Sequence, residues 1–167
     1  MYIQSCLQWS AKTVMSRGLV VCIGNGLVAD DGAGQAVYEQ LLESSIPGDV
    51  RLRFLGLGGM DLLEEIDGED ILVVVDGVQL GGEPGTIHLL DWEHLPRMDL
   101  RPVSGHGIGI CEAIAVGQRL YPERVPENIF LVGVEGQCFD QLGVGLTEEV
   151  ARAIPKAAEK VCALLRA

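Results

Sequence analysis

The sequence predicts a single-domain three-layer α/β/α fold, in which a twisted, mostly parallel (mixed) sheet is flanked by helices. Three observations point there. Apolar runs of strand length recur along the chain, at residues 19–23, 71–75 and 129–134, with helix-like segments between them. The run Ile71-Leu72-Val73-Val74-Val75 is continuous and largely β-branched, the pattern of a central strand covered on both faces. The first run passes through a glycine-rich turn directly into an amphipathic segment, which is the strand, loop and helix unit of parallel sheets.

Taken in order, residues 1–16 read as an N-terminal arm whose apolar residues show no clear period, and residues 17–167 as the single α/β domain. Residues 19–24 form the first strand and 31–44 the first helix, with Val37, Leu41 and Leu42 facing inward. Val50-Arg51-Leu52-Arg53-Phe54-Leu55-Gly56 is the second strand, and residues 60–66 are a short helix. After the central strand, the turn signal Gly81-Gly82-Glu83-Pro84-Gly85 introduces an added strand at 86–90. Residues 108–120 read as a helix, 129–134 as another buried strand, and 147–166 as a closing helix. Pro155 is expected to kink that helix or to mark its first turns. There is no internal repeat, low-complexity tract or domain linker.

Composition narrows the function classes. A chain of 167 residues can bury about two thirds of its unfolded surface, so it needs no disulfide staples. Its five cysteines, Cys6, Cys22, Cys111, Cys138 and Cys162, are scattered and never in C-x-x-C spacing, which suggests a reducing cytosol and no zinc knuckle. No apolar run approaches the roughly 20 residues of a membrane span, and the first 18 residues lack a secretory apolar core, so the expected location is cytoplasmic with no membrane partner. A formal net charge of -12 disfavours nucleic acid, which rewards basic patches.

The loop Gly24-Asn25-Gly26-Leu27-Val28-Ala29-Asp30-Asp31-Gly32-Ala33-Gly34 begins like a dinucleotide fingerprint, G-x-G-x-x-G/A. Two features argue against a nucleotide. Asp30 and Asp31 sit where phosphates would lie and would repel them. The second strand runs into Leu57-Gly58-Gly59 without the acid that holds a ribose hydroxyl. The loop suits a cation instead.

Asp31 lies just past the first strand, and Asp76 terminates the central strand in the phrase Val75-Asp76-Gly77. If the strands are parallel, both carboxylates emerge on one sheet edge, the edge where such folds collect ligands. His106, in the loop Val103-Ser104-Gly105-His106-Gly107, can reach the same edge. Two carboxylates and one imidazole leave metal positions open for water or substrate. Plainer readings stand beside this one. Asp30, and to a lesser degree Asp31, reads as a loop or helix-cap acid, and Asp76 fits a turn. His88 and His94 read as solvated side chains.

The ordered set Gly24-Asn25-Gly26, Asp30-Asp31-Gly32-Ala33-Gly34, Gly59-Met60-Asp61-Leu62-Leu63, the strand ending in Asp76, Ser104-Gly105-His106, Leu131-Val132-Gly133-Val134-Glu135 and Gly145-Leu146-Thr147 resembles the hydrogenase maturation proteases, collinearly from about residue 17 to the end. The resemblance implies an endopeptidase that removes the C-terminal extension of a nickel-iron hydrogenase large-subunit precursor after nickel insertion. It places the family's metal-binding and catalytic groups on Asp31, Asp76 and His106. Nickel would be supplied with, or shared by, the substrate precursor, with zinc or cadmium as surrogate ions, and the chain is expected to act as a monomer. One departure is that members often carry an Asp-Gly-Gly-Thr-like sequence after the second strand, where this chain has Leu55-Gly56-Leu57-Gly58-Gly59. No G-x-S-x-G nucleophile elbow is present. The competing classes are a non-catalytic metal-sensing maturation chaperone, which the same ligands would serve, and a nucleotide-binding oxidoreductase, which only the partial fingerprint supports.

Overall fold

The computed structural model describes residues 17–57, 59–92 and 109–166. Five strands, β1 (Gly18–Cys22), β2 (Val50–Phe54), β3 (Ile71–Val78), β4 (Ile87–Asp91) and β5 (Asn128–Glu135), form one sheet in the order β2-β1-β3-β5-β4. All neighbours run parallel except β4, which lies antiparallel on β5 at the edge. The helices are α1 (Ala33–Leu42), α2 (Leu62–Glu65), α3 (Ile110–Leu120) and α4 (Glu148–Leu164), and a 3₁₀ turn, Ala29–Gly32, precedes α1.

Side chains alternate across a strand, so each apolar strand builds two cores at once. Val20, Cys22, Val73, Val75, Val132 and Val134 point to one face, where they meet Val37 and Leu41 of α1 and Val150, Ala157 and Val161 of α4. Leu19, Val21, Leu72, Val74, Ile129 and Leu131 point to the other, against Leu62 of α2 and Ile114 of α3. This is why the β3 sequence is apolar without alternation. The expected α/β/α architecture with its mixed sheet is therefore the observed one.

Three expectations change in detail. The central strand does not end at Asp76 but runs on to Val78, because β5 continues alongside it and pairs Asp76 with Gly133. Pairing with the longer neighbour overrides the local Asp-Gly turn signal. β1 stops earlier, at the pair Cys22↔Val75, so Asp76 is the first β3 residue beyond the end of β1. Leu42 is 62% exposed, since it closes α1 on the solvent side while Val37 and Leu41 are buried. Pro155 sits inside α4. The expected N-terminal arm, His94 and His106 lie outside the described residues. No helix among the described residues is long and apolar enough to cross a membrane.

Candidate active site

The carboxyl ends of β1, β3 and β5 share one edge of the sheet, and a folded-back loop delivers Asp31 to it. After β1, Ile23 N–H still donates to Val75 C=O at 2.9 Å, and the chain then reverses at Gly24, whose φ is +143°. A Cβ at Gly24 would lie 2.1 Å from the Asp31 carbonyl oxygen, so only glycine allows the turn to return this closely. The return is held by Asn25 N–H to Asp31 C=O, 3.0 Å, and by Asp31 N–H to Val28 C=O, 2.9 Å. Farther on, a Cβ at Gly34 would stand 1.8 Å from Ile23 C=O, so this glycine lets α1 start directly against the loop. These glycines of the fingerprint-like loop thus serve close packing of backbone on backbone.

Asp31 is buried, and Asp76 faces it closely enough to feel its charge. Burial, then the Asp31 charge, pushes the Asp76 carboxyl from the ordinary carboxylate range up to about 8, against a lowering hydrogen bond from the Gly77 backbone. Near neutral pH Asp76 therefore keeps a proton, unless a cation takes the proton's place. Burial first, and the Asp76 charge second, holds the Cys22 thiol far above its usual range. Cys111 is raised by burial, by Glu112 and by Asp76. Neither thiol has thiolate character near neutral pH, so neither offers a cysteine nucleophile.

Of the three residues singled out from sequence, Asp31 and Asp76 meet at this edge, and His106 lies outside the described residues. Among the described residues no group of three or more His, Cys, Asp or Glu side chains is arranged to hold a metal. Of the three expected ligands, the described residues include the two carboxylates, Asp31 and Asp76.

Two further acids shape the edge, and sequence reasoning mistook or missed their roles. Asp30 caps no helix. It is fully buried and accepts from Gln137 N–H (2.9 Å), Cys138 N–H (3.0 Å), Thr147 N–H (2.8 Å) and Thr147 Oγ1–H (2.9 Å). It clasps the 3₁₀ turn to the loop after β5 and to the residue that opens α4. The partners are more than a hundred positions away, so no local signal exposes them. Glu135, at the end of β5, accepts from the N–H groups of Leu80 (3.0 Å), Gly81 (2.9 Å) and Gly82 (3.1 Å). His88 Nε2 lies 2.8 Å from the same carboxylate, so His88 is a structural partner and not the solvated side chain expected from its strand-edge position. The phrase ending in Glu135 and the later Gly145-Leu146-Thr147 were the available signals, and both are anchors of loops around the edge.

The hydrogenase maturation protease family model matches residues 36–164. The chain is 31% identical over 152 residues to the hydrogenase 2 maturation protease of Escherichia coli, covering 90% of this chain and 91% of that protein. In structure it is similar to the E. coli hydrogenase maturating endopeptidase HybD, with a TM-score of 0.79 and 30% identity over 90% of this chain and 92% of that one. It is also similar to the [NiFe] hydrogenase maturation protease HybD of Thermococcus kodakarensis, with a TM-score of 0.74 and 25% identity over 89% and 99% of the two chains. Likeness that extends over nearly the whole domain in both sequence and fold leads to one conclusion: the chain belongs to the hydrogenase maturation protease family and is an endopeptidase of hydrogenase maturation.

Proposed function

We propose that this endopeptidase removes the C-terminal extension of a nickel-iron hydrogenase large-subunit precursor, and that it does so only once nickel is in place, with Asp31, Asp76 and His106 reading the ion. The observation that supports this is the confrontation of Asp31 with Asp76 at the ligand edge, which leaves Asp76 protonated near neutral pH. Two carboxylates held together repel each other, and a divalent cation removes the repulsion more fully than a proton does. The donor set of oxygens with one imidazole, and no thiolate within it, suits nickel or zinc better than magnesium. Zinc or cadmium would act as surrogates when nickel is absent.

On this reading nickel would come with the substrate, held by Asp31, Asp76 and His106, where it would supply Lewis-acid polarisation of the scissile carbonyl or serve only as an anchor for it. The chain's own part is different. Asp31 is fixed by the backbone bonds of its turn, and Asp76 by its place in the β3–β5 ladder, so both carboxylates are oriented before substrate arrives. Asp76, with its proton affinity raised to about 8, holds a proton near neutral pH in the ion-free protein and would give it up when the ion binds, which turns its carboxylate to the cation. The chain is read as acting as a monomer. The unpaired cysteines Cys22, Cys111, Cys138 and Cys162 fit a reducing cytoplasm.

The test is incubation with nickel-loaded and nickel-free large-subunit precursor, followed by mass measurement of the product. Shortening of the nickel-loaded form alone is expected. Equal shortening of both forms would remove the nickel-reading role, and no shortening of either would remove the substrate assignment.

A further inference from the structure

A domain with a well-filled core has little reason to leave large apolar side chains in water on ordered loops. Yet Leu27 is 71% exposed, Leu142 75% and Val144 59%. Their backbones come together because the loop after β1 and the loop before α4 pair with each other: Val28 and Leu142 form an isolated antiparallel bridge, and Gly143 N–H donates to Leu27 C=O at 2.8 Å. Gly143 and Gly145 have φ values of +75° and +68°, a left-handed alternation that turns the chain on either side of Val144. Leu27 N–H also donates to Asn25 Oδ1 at 3.0 Å. The Asp30 clasp on Gln137, Cys138 and Thr147 ties down the base of the same two loops. These apolar residues are therefore displayed on a braced support.

The display is continuous with the site. Val28, next to Leu27, accepts the hydrogen bond of Asp31 N–H, and Asp30 beside Asp31 holds Thr147. Leu57 and Met60, in the loop after β2, are also exposed on this sheet edge, where Gly24 N–H donates to Gly56 C=O at 2.8 Å. Exposed apolar side chains gathered on paired loops beside a candidate site suit the docking of a partner chain. A polypeptide cut beside Asp31 has to lie over this edge.

We infer that Leu27, Leu142 and Val144 form an apolar lip that docks apolar side chains of the large-subunit precursor beside the paired aspartates, and so contributes substrate affinity without taking part in bond cleavage. The inference rests on the reading of the substrate given above. The lip supplies affinity through burial of apolar area, so its loss weakens binding while the carboxylate pair is untouched.

The experiment compares the chain with the triple variant Leu27→Ser/Leu142→Ser/Val144→Ser and with a control, Leu42→Ser/Leu120→Ser. The control removes side chains of similar exposure at the C-terminal ends of α1 and α3, remote from the site edge. Cleavage of nickel-loaded precursor is followed at varied precursor concentration. The lip variant is expected to raise KM by roughly tenfold to a hundredfold with kcat within about twofold, and the control to change neither. Precursor binding is measured separately in the Asp76→Asn background with and without the lip changes, so the lip is tested even if the metal reading fails. Equal binding with and without the lip overturns the inference. So does a chain that sediments as a dimer and becomes a monomer in the lip variant, because the occupant is then a second copy. A lip variant whose Tm falls by more than a few degrees is replaced by Leu142→Ser alone, which must still weaken precursor binding.

Discussion

Replacing Asp30 by Asn is close to isosteric, and from sequence it should cost at most about 1 to 2 kcal/mol, the value of a helix cap. The structure raises that expectation. One carboxylate oxygen accepts from Gln137 N–H and Cys138 N–H, and the other accepts from Thr147 N–H, with Thr147 Oγ1 within reach of both. An amide has a single acceptor oxygen. If that oxygen faces Gln137 and Cys138, its NH₂ group confronts Thr147 N–H, and in the flipped orientation it confronts the other two. At least one buried donor is orphaned, at about 1–3 kcal/mol, and the remaining bonds lose their charge assistance. The total is about 2–3 kcal/mol for Asn and about 3–5 kcal/mol for Ala, which strands all three amides. For a chain of this size about 2–4 °C is lost per kcal/mol, so the Asn variant should melt roughly 4–12 °C lower, by circular dichroism at pH 7. Since the clasp also braces the lip, KM for precursor should rise more than kcat falls. An Asn variant that melts within about 2 °C of the parent would show that the clasp contributes no more than an ordinary cap.

Other expectations follow from the same contacts. Asp76→Asn should lower processing of nickel-loaded precursor by orders of magnitude and leave the circular dichroism spectrum unchanged, and processing at the parent rate would refute the shared-ion mechanism. The Asp76 carboxyl is raised from 3.8 to about 8 in the fold, so between those values the unfolded chain binds fewer protons than the folded one. The ion-free protein should therefore lose stability as pH rises from about 4 to about 8, and Asp76→Asn should flatten that slope in urea titrations; an unchanged slope would contradict the assigned shift. Below about pH 8 an ion must also displace the Asp76 proton, so calorimetry in buffers of differing ionisation heat should detect close to one proton released per nickel from this group near pH 7, falling to about a tenth near pH 9. Glu135→Ala should lower Tm by roughly 4–12 °C, because the N–H groups of Leu80, Gly81 and Gly82 and the His88 ring nitrogen then lose their partner, and proteolysis should cut first in residues 79–85. Gly34→Ala should fail to give soluble, folded protein, since its Cβ would overlap Ile23 C=O; a folded variant would show that α1 can shift away from the loop.

The sequence by itself determined the layer architecture and the neighbourhood of the ligand edge. Runs such as 71–75 and 129–134 can bury both faces only inside a sheet covered by helices, and acids near the carboxyl ends of parallel strands tend to gather at that edge. That reasoning uses local period and strand direction alone, and it brought Asp31 and Asp76 to one edge. Where β3 stops was decided by its partner: Asp76 remains in the strand because β5 runs beside it to Glu135. The roles of Asp30, Glu135 and His88 were likewise hidden, since a buried carboxylate is defined by its donors, and theirs are brought in from loops some fifty to more than a hundred positions away. Even the loop glycines changed meaning. Sequence shows only that backbone can approach something closely at Gly24 and Gly34, and tertiary packing decides that the approaching groups are the carbonyls of Asp31 and Ile23. Chemistry that depends on one residue and its strand is legible along the chain, whereas chemistry that depends on which donors surround a buried charge exists only once the chain has folded.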